Sequence, residues 1–220
     1  MTPALEITVT IPVVSLRNPL YAGVQVGLPC PPPSTVGGFL ASTVGGWHRT
    51  PAHTRFAMTF TAAGYGTDLE TYHPLDARGT RSDPVPRNRE FLAGATLRIW
   101  LTEDLDLWET ALRRPVWPLR LGRSQDLASA RTSRVELTTG PGRQDQLLVP
   151  ERLTQSGTLL RLPTAIAEDR SRTRWDAYRY AARSSKDQKP IDTGYLTVGG
   201  QALALLLPTH PSQLIKEPAP

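Results

Sequence analysis

Arginine is the chemically most conspicuous residue of this chain, outnumbering lysine 22 to 3. Its distribution is segmental. Residues 78–98 carry five arginines against two acids, 113–143 seven against two, and 161–189 six arginines with two lysines against four acids. The first 77 residues carry three arginines against four acids. A guanidinium offers a planar fork of donors that fits a phosphate bidentately and stacks on bases, so three such segments on one surface would face a polyanion. Taken alone, they are equally a solvated basic surface.

A second candidate lies in residues 28–47, LPCPPPSTVGGFLASTVGGW. Ser34 after three prolines reads as a helix N-cap, and the amides of Ser34, Thr35 and Val36 at that helix start suit a phosphate. An ordinary capped core helix is the other reading. Neither GxxxxGK[ST] nor a strand-linked GxGxxG occurs, and Gly64-Tyr65-Gly66 lacks a third glycine, so no nucleoside-triphosphate loop is expected. With Cys30 as the single cysteine no internal disulfide forms, and histidines at 48, 53, 73 and 210 are too scattered for a zinc set. His48 and His53 read as surface loop residues. No catalytic set, metal or cofactor is expected.

These groups need a scaffold. The 220 residues, 39% apolar, suffice for one sizeable domain or a domain with a small extension. The longest apolar run, Ala202 to Leu207, is too short to cross a bilayer, and MTPALE is unlike a signal peptide, so a cytoplasmic protein without membrane contact is expected. Alternation over Glu6–Val14 predicts a strand. Val36, Phe39, Leu40, Val44 and Trp47 form the stripe of a helix starting near Ser34, with Gly37 and Gly38 allowing close backbone approach and Gly45 and Gly46 ending it.

Further strands are predicted at Arg55–Thr61, Thr96–Thr102 and Ser133–Thr138, and a helix at Asp104–Arg113, stopped by Pro115. Residues 62–95 are polar, rich in glycine and proline, and too long for a hairpin loop, which leaves a disordered insertion or a projecting arm. The order completes a β-α-β-β-α-β unit, the ferredoxin-like or RRM-like arrangement of an α+β fold. Near the C-terminus, Tyr195–Val198 and Gln201–Leu207 flank a Gly-Gly pair that predicts a two-residue hairpin turn. Residues 140–192 show weak periodicity and receive no assignment.

Four pieces in this order resemble a known family: Leu16-Arg17-Asn18-Pro19, Pro31-Pro32-Pro33-Ser34-Thr35-Val36-Gly37-Gly38, Pro86-Arg87-Asn88-Arg89-Glu90-Phe91-Leu92 and Leu121-Gly122-Arg123-Ser124. Together they are similar to the Cas protein of family five, a RAMP protein of type I CRISPR effector complexes (Cascade). The resemblance implies a ferredoxin-like RAMP domain over 1–140, with a long β-hairpin thumb at 62–95, and a β-rich C-terminal extension over 141–220 that completes the fold. It implies a protein that caps the 5′ handle of the CRISPR RNA. Its implied partners are backbone subunits of family seven, the large PAM-reading subunit of family eight or its equivalent, and target DNA within the complex. The RNA-binding residues it implies are Arg17, Pro33, Ser34, Thr35, Arg81, Arg87, Arg89, Arg120, Arg123, Ser124 and Arg131. Arg17, Ser34, Arg87, Arg89 and Arg123 are expected to converge on one side of the domain.

One branch of the family cuts precursor RNA without metal, using a Tyr, Lys and His set. Here Trp47-His48 follows the first helix without a tyrosine, and Arg89, Phe91 and Arg98 stand where a Lys-His pair would be needed. Tyr65, Tyr72 and His73 fall in the arm, a poor catalytic scaffold. The expectation is therefore an RNA-binding subunit without catalysis, with the endoribonuclease and an unrelated RRM-like RNA-binding adaptor as the alternatives.

Overall fold

Leu5, Ile7, Val9 and Ile11 are buried while Glu6, Thr8 and Thr10 turn to the other side, the period-two pattern of a strand with one face on a core. The computed structural model describes residues 1–21, 26–72, 83–182 and 190–214. In it the first strand, β1, runs from Thr2 to Val14, four residues longer at its start than its alternation predicts. It is followed by helix α1 (Pro33–Val44), strands β2 (Phe56–Thr61), β3 (Gly64–Tyr72) and β4 (Val85–Leu101), helix α2 (Leu105–Arg113) and strand β5 (Ser129–Leu137). The main sheet has the order β2-β4-β1-β5, all neighbours antiparallel, with β3 also paired to β4. The architecture is a mixed α+β fold.

Residues 62–95 are thus a hairpin, β3 lying against the first half of β4 from Gly64↔Ala93 to Tyr72↔Val85. The predicted strand at Thr96–Thr102 is only the end of β4. Residues 73–82, with His73 and Arg81, lie outside the described residues.

Helix α1 corrects the assignment of Ser34 as a cap. Pro33 occupies the first helical position and Pro32 the N-cap, with no side-chain capping bond. Proline's fixed φ and missing amide suit that first position, so the helix begins a residue early and Ser34 is a buried member of its first turn. The amides of Thr35 and Val36 both donate to the Pro32 carbonyl, at 3.0 and 3.2 Å, and are not free for a phosphate. At the other end Gly45, at φ 96°, closes the helix as predicted: its amide and that of Gly46 reach back to the carbonyls of Ser42 and Ala41. Gly37 makes the expected close approach, since a Cβ there would collide with Thr209, whereas Gly38 faces open space.

The helices cover the Leu5–Ile11 face of the sheet, where Val36, Phe39, Leu40, Trp108 and Leu112 join one core. The unassigned stretch after residue 140 forms a second, three-stranded sheet, β6 (Val149–Pro150), β7 (Thr158–Ile166) and β8 (Thr173–Tyr180), in the order β6-β8-β7. Tyr178 and Tyr180 of β8 enter the main core, and the Tyr180 hydroxyl donates to the Phe60 carbonyl at 2.8 Å. A final hairpin joins β9 (Gly194–Leu196) and β10 (Ala202–Ala204). Its turn is one residue longer than Gly-Gly pairing predicts: Thr197 pairs with Gln201, and Gly200 takes the left-handed conformation at φ 78°.

Strand β10, Leu147 and Val149 pack over Ala57, Trp100 and Leu137 on the helix-free face, while Leu148 joins the main core. Residues 146–148 also bond along β2, covering that sheet edge. What stays uncovered of this face holds Thr10, Thr96, Arg98, Ser129 and Arg131. Among the described residues no helix is long and apolar enough to cross a membrane.

Candidate nucleic-acid interface

Where β1 ends, its chain continues as a short ribbon: the Leu28 amide donates to the Leu16 carbonyl at 2.7 Å, and the Asn18 amide to the Val26 carbonyl at 2.8 Å. Arg17 bridges Gly27 in this ribbon, and its side chain is exposed. Two bonds tie the ribbon to β4. The Ser15 hydroxyl donates to the Glu90 carbonyl, and the Gly27 amide donates to Glu90 Oε2, both at 2.7 Å.

The turn Leu121-Gly122-Arg123-Ser124 is fastened to the same place by Asp126, whose side chain is only 2% exposed. Asp126 Oδ2 accepts from the amides of Ser15 and Arg123, each at 3.0 Å, while Oδ1 takes an Arg123 guanidinium donor at 2.8 Å. Gly122 is at φ 94°, and a Cβ there would sit 2.9 Å from Val14 Cγ2. Both conditions require glycine, which is the local reason for this piece of sequence.

Alternation along the hairpin puts two different faces on it. Gly66↔Phe91, Asp68↔Arg89 and Glu70↔Arg87 are cross-strand pairs on one side; Tyr65↔Leu92, Thr67↔Glu90 and Leu69↔Asn88 are on the other. The Phe91 ring lies over Gly66, 2.6 Å from where a Cβ would be. Arg89 is 8% exposed and paired with Asp68 and Glu70, the latter at 3.3 Å. Glu70 in turn stands 3.9 Å from Arg123, linking the hairpin to the Asp126 turn.

Arg87 and Arg89 thus share one face of the hairpin, Arg123 reaches that face through Glu70, and Arg17 lies on the ribbon tied to Glu90. Arg17 and Arg87 are exposed, whereas Arg89 and Arg123 are held by carboxylates, which compete with any phosphate for the same donors. Arg120, exposed, bridges Leu127 beside the turn, and Ser124 is exposed within it. Pro33 and Ser34 are buried in the first turn of α1 and Thr35 is half-buried, so Ser34 does not join the arginines. Arg131 lies on β5, opposite Thr8 of β1, on the helix-free face. It is exposed there, and no ion pair engages it among the described residues. Nearby a shallow cavity of about 490 Å³ is lined by Thr10, Thr96 and Ser129. Arg98 on this face is tied to Glu6 at 2.7 Å and lies over the Trp100 ring at 5.0 Å. In the third basic segment Arg174 bonds Asp176 and the Pro208 carbonyl and Arg179 the Gly157 carbonyl, while Arg161, Arg170 and Arg172 are exposed.

The carboxylates Asp68, Glu70, Glu90 and Asp126 are the residues that reading for basic groups passes over. Their signal is present: Asp-x-Glu at 68–70 and Arg-x-Arg at 87–89 repeat with period two and opposite sign, the mark of facing strands.

Over residues 4–198 the chain matches the family described as CRISPR-associated protein (Cas_Cas5). Solved structures share its fold. A chain of a CRISPR RNA-guided surveillance complex aligns at 18% identity and TM-score 0.56, covering 90% of this chain and 93% of that one. A CRISPR protein from Archaeoglobus fulgidus aligns at 14% identity and TM-score 0.54, covering 93% and 99%. A chain of the type III-B Cmr-beta complex bound to cognate target RNA aligns at 7% identity and TM-score 0.55, covering 84% and 86%. No curated protein matches.

Proposed function

Because the chain belongs to the CRISPR-associated Cas5 family, we propose that it is a non-catalytic subunit of a type I RNA-guided surveillance complex that caps the 5′ handle of the CRISPR RNA. The observation that carries this reading is the hairpin base, where exposed Arg17 and Arg87 flank a network that fixes the β3–β4 hairpin to the body. Exposed guanidiniums supply phosphate contacts, and the fixed hairpin supplies a stiff projection against which RNA can bend. The sheet order β2-β4-β1-β5 with two helices on one face supports a ferredoxin-like body, and the hairpin supports the thumb. On this reading the thumb reaches a backbone subunit of family seven, and the body meets the large PAM-reading subunit, bringing the chain beside target DNA.

Absence of catalysis is part of the proposal. Tyr65 stands 89% exposed on the hairpin, and His53 and His210 are engaged elsewhere, with Asp104 and with the Trp47 carbonyl. A ribonuclease needs a base at the 2′-hydroxyl and a cation at the phosphate together. Purified protein is incubated with its repeat RNA, with and without divalent metal, and binding is followed alongside product length. Binding without cutting is expected. Specific cleavage at the 3′ side of the repeat would replace the proposal with the endoribonuclease reading, and absence of any RNA affinity would remove it.

A further inference from the structure

A groove of about 280 Å³ opens between the ribbon and the hairpin, walled by Leu16, Leu28 and Pro29 on one side and by Tyr65, Glu90 and Leu92 on the other. This volume lies just below the range of roughly 300–1,000 Å³ typical of small-ligand sites and suits one planar group with little attached. Its wall is mainly apolar, and its polar side chains are Thr67, Glu90 and the Tyr65 phenol, of which Glu90 alone carries a charge. That carboxylate is oriented: Oε2 accepts the Gly27 amide at 2.7 Å, and the other oxygen has no partner among the described residues. The Tyr65 ring stands almost wholly exposed at the rim, available for stacking. Arg17, the exposed guanidinium of the same ribbon, is the bridge partner of Gly27 and so stands next to the mouth.

From this arrangement we propose that the groove is a nucleobase pocket, selective for a base with an exocyclic amino group (adenine, cytosine or guanine) over uracil. The inference rests on the RNA-binding reading above and deepens it. Aromatic stacking accepts any base and the Thr67 hydroxyl can donate or accept, so selection falls to the free Glu90 oxygen, an acceptor with no donor of its own. Adenine N6, cytosine N4 and guanine N2 carry the N–H it needs; uracil has no amino group, and its one edge donor, N3–H, is flanked by the O2 and O4 lone pairs that a negative charge repels. Arg17 would hold the phosphate of the same nucleotide, the charge partner that a peptide side chain would not require.

The test uses the full chain and single-stranded octamers of adenosine, cytidine, uridine and purine riboside, the last lacking the amino group, with binding read by fluorescence anisotropy. Wild type is expected to bind A over purine riboside, and C over U, by roughly tenfold, the scale of one discriminating hydrogen bond. Glu90→Gln should reverse the pyrimidine preference: the Gly27 amide keeps the amide oxygen, and the NH2 turns into the groove to donate to uracil O4. Tyr65→Ala should weaken all four octamers by a common factor. The wild-type comparison needs no variant, so it stands whatever substitution does to folding. Equal affinity for all four octamers, with Arg17→Ala still weakening them, would overturn the base pocket and leave RNA binding intact. Equal affinity together with failure of Glu90→Gln to assemble with partner subunits would assign the groove to a partner's basic side chain, also overturning it. No binding by any octamer, unaffected by Arg17→Ala, would count against the RNA-binding reading itself.

Discussion

The hairpin base and the uncovered sheet face both present arginines, and they use them in opposite ways. At the base, Arg89 and Arg123 are enclosed by Asp68, Glu70 and Asp126, so their donors are committed before any ligand arrives. On the sheet face Arg131 stands exposed among Thr8, Thr10 and Ser129, with its donors in water. A count of arginines cannot separate the two. What distinguishes them is whether a carboxylate shares the register, because a phosphate must displace such a carboxylate but merely meets a solvated guanidinium.

The largest effect should come from breaking the committed side. Asp126→Ala leaves the Ser15 amide and the Arg123 guanidinium without their acceptor in a buried site, a loss of about 3–5 kcal/mol. In a chain of this size each kcal/mol lowers Tm by about 2–4 °C, so a drop on the order of 10 °C is expected by circular dichroism. A variant melting with the wild type would show that the clamp is not structural. Gly122→Ala should cost about 2 kcal/mol, from left-handed backbone strain and contact with Val14 together, and would be read in the same melt. Next in size is the contrast in RNA binding. Arg131→Ala should keep Tm and reduce the salt slope of binding by about 0.7, whereas Arg89→Ala should lower Tm and leave the slope nearly unchanged. Equal slopes for Arg131→Ala and wild type would move the phosphate contacts off the sheet face.

The smallest effect concerns pH and the core shared with the C-terminal sheet. Burial raises the Cys30 thiol above its ordinary 9.0, pushes the Tyr178 phenol from 10.0 up to about 12, and raises Tyr180 as well. The native state keeps these protons where the unfolded chain would release them. Their contribution is therefore complete below pH about 9 and is lost as pH climbs toward the native values, each group steepening the decline by at most about 1.4 kcal/mol per pH unit. Tm measured at intervals from pH 8 to 11 should be flat at first and then fall. Cys30→Ala should remove the earliest part of that fall, and an unchanged curve would mean that another group governs it.

Much of the scaffold was legible because periodicity reports burial. The alternation of Leu5 to Ile11, the stripe from Val36 to Val44 and the short amphipathic helix around Trp108 each face one core, so pattern and structure coincide. Residues 140–192 gave no such signal: β6 is two residues long, and the register of β7 shifts between Pro163 and Ala165, so neither builds a countable period. Ser34 misled because its cap propensity is local, while Pro33 fixes the helix start more firmly. The charges of Asp-x-Glu at 68–70 and Arg-x-Arg at 87–89 mark facing strands, but that Asp68 meets Arg89 follows only once the hairpin register is known.

The position of β1 has a consequence for synthesis. It is made before both of its neighbours, yet it lies between β4 and β5, its Leu5 paired with Leu101 and its Thr2 with Leu137. Both edges of an apolar β-branched segment must therefore wait while about a hundred further residues are added, on the order of 5–20 s at typical translation rates. During that interval the emerging chain carries an unpaired strand template, and its solubility rests on how quickly β4 arrives.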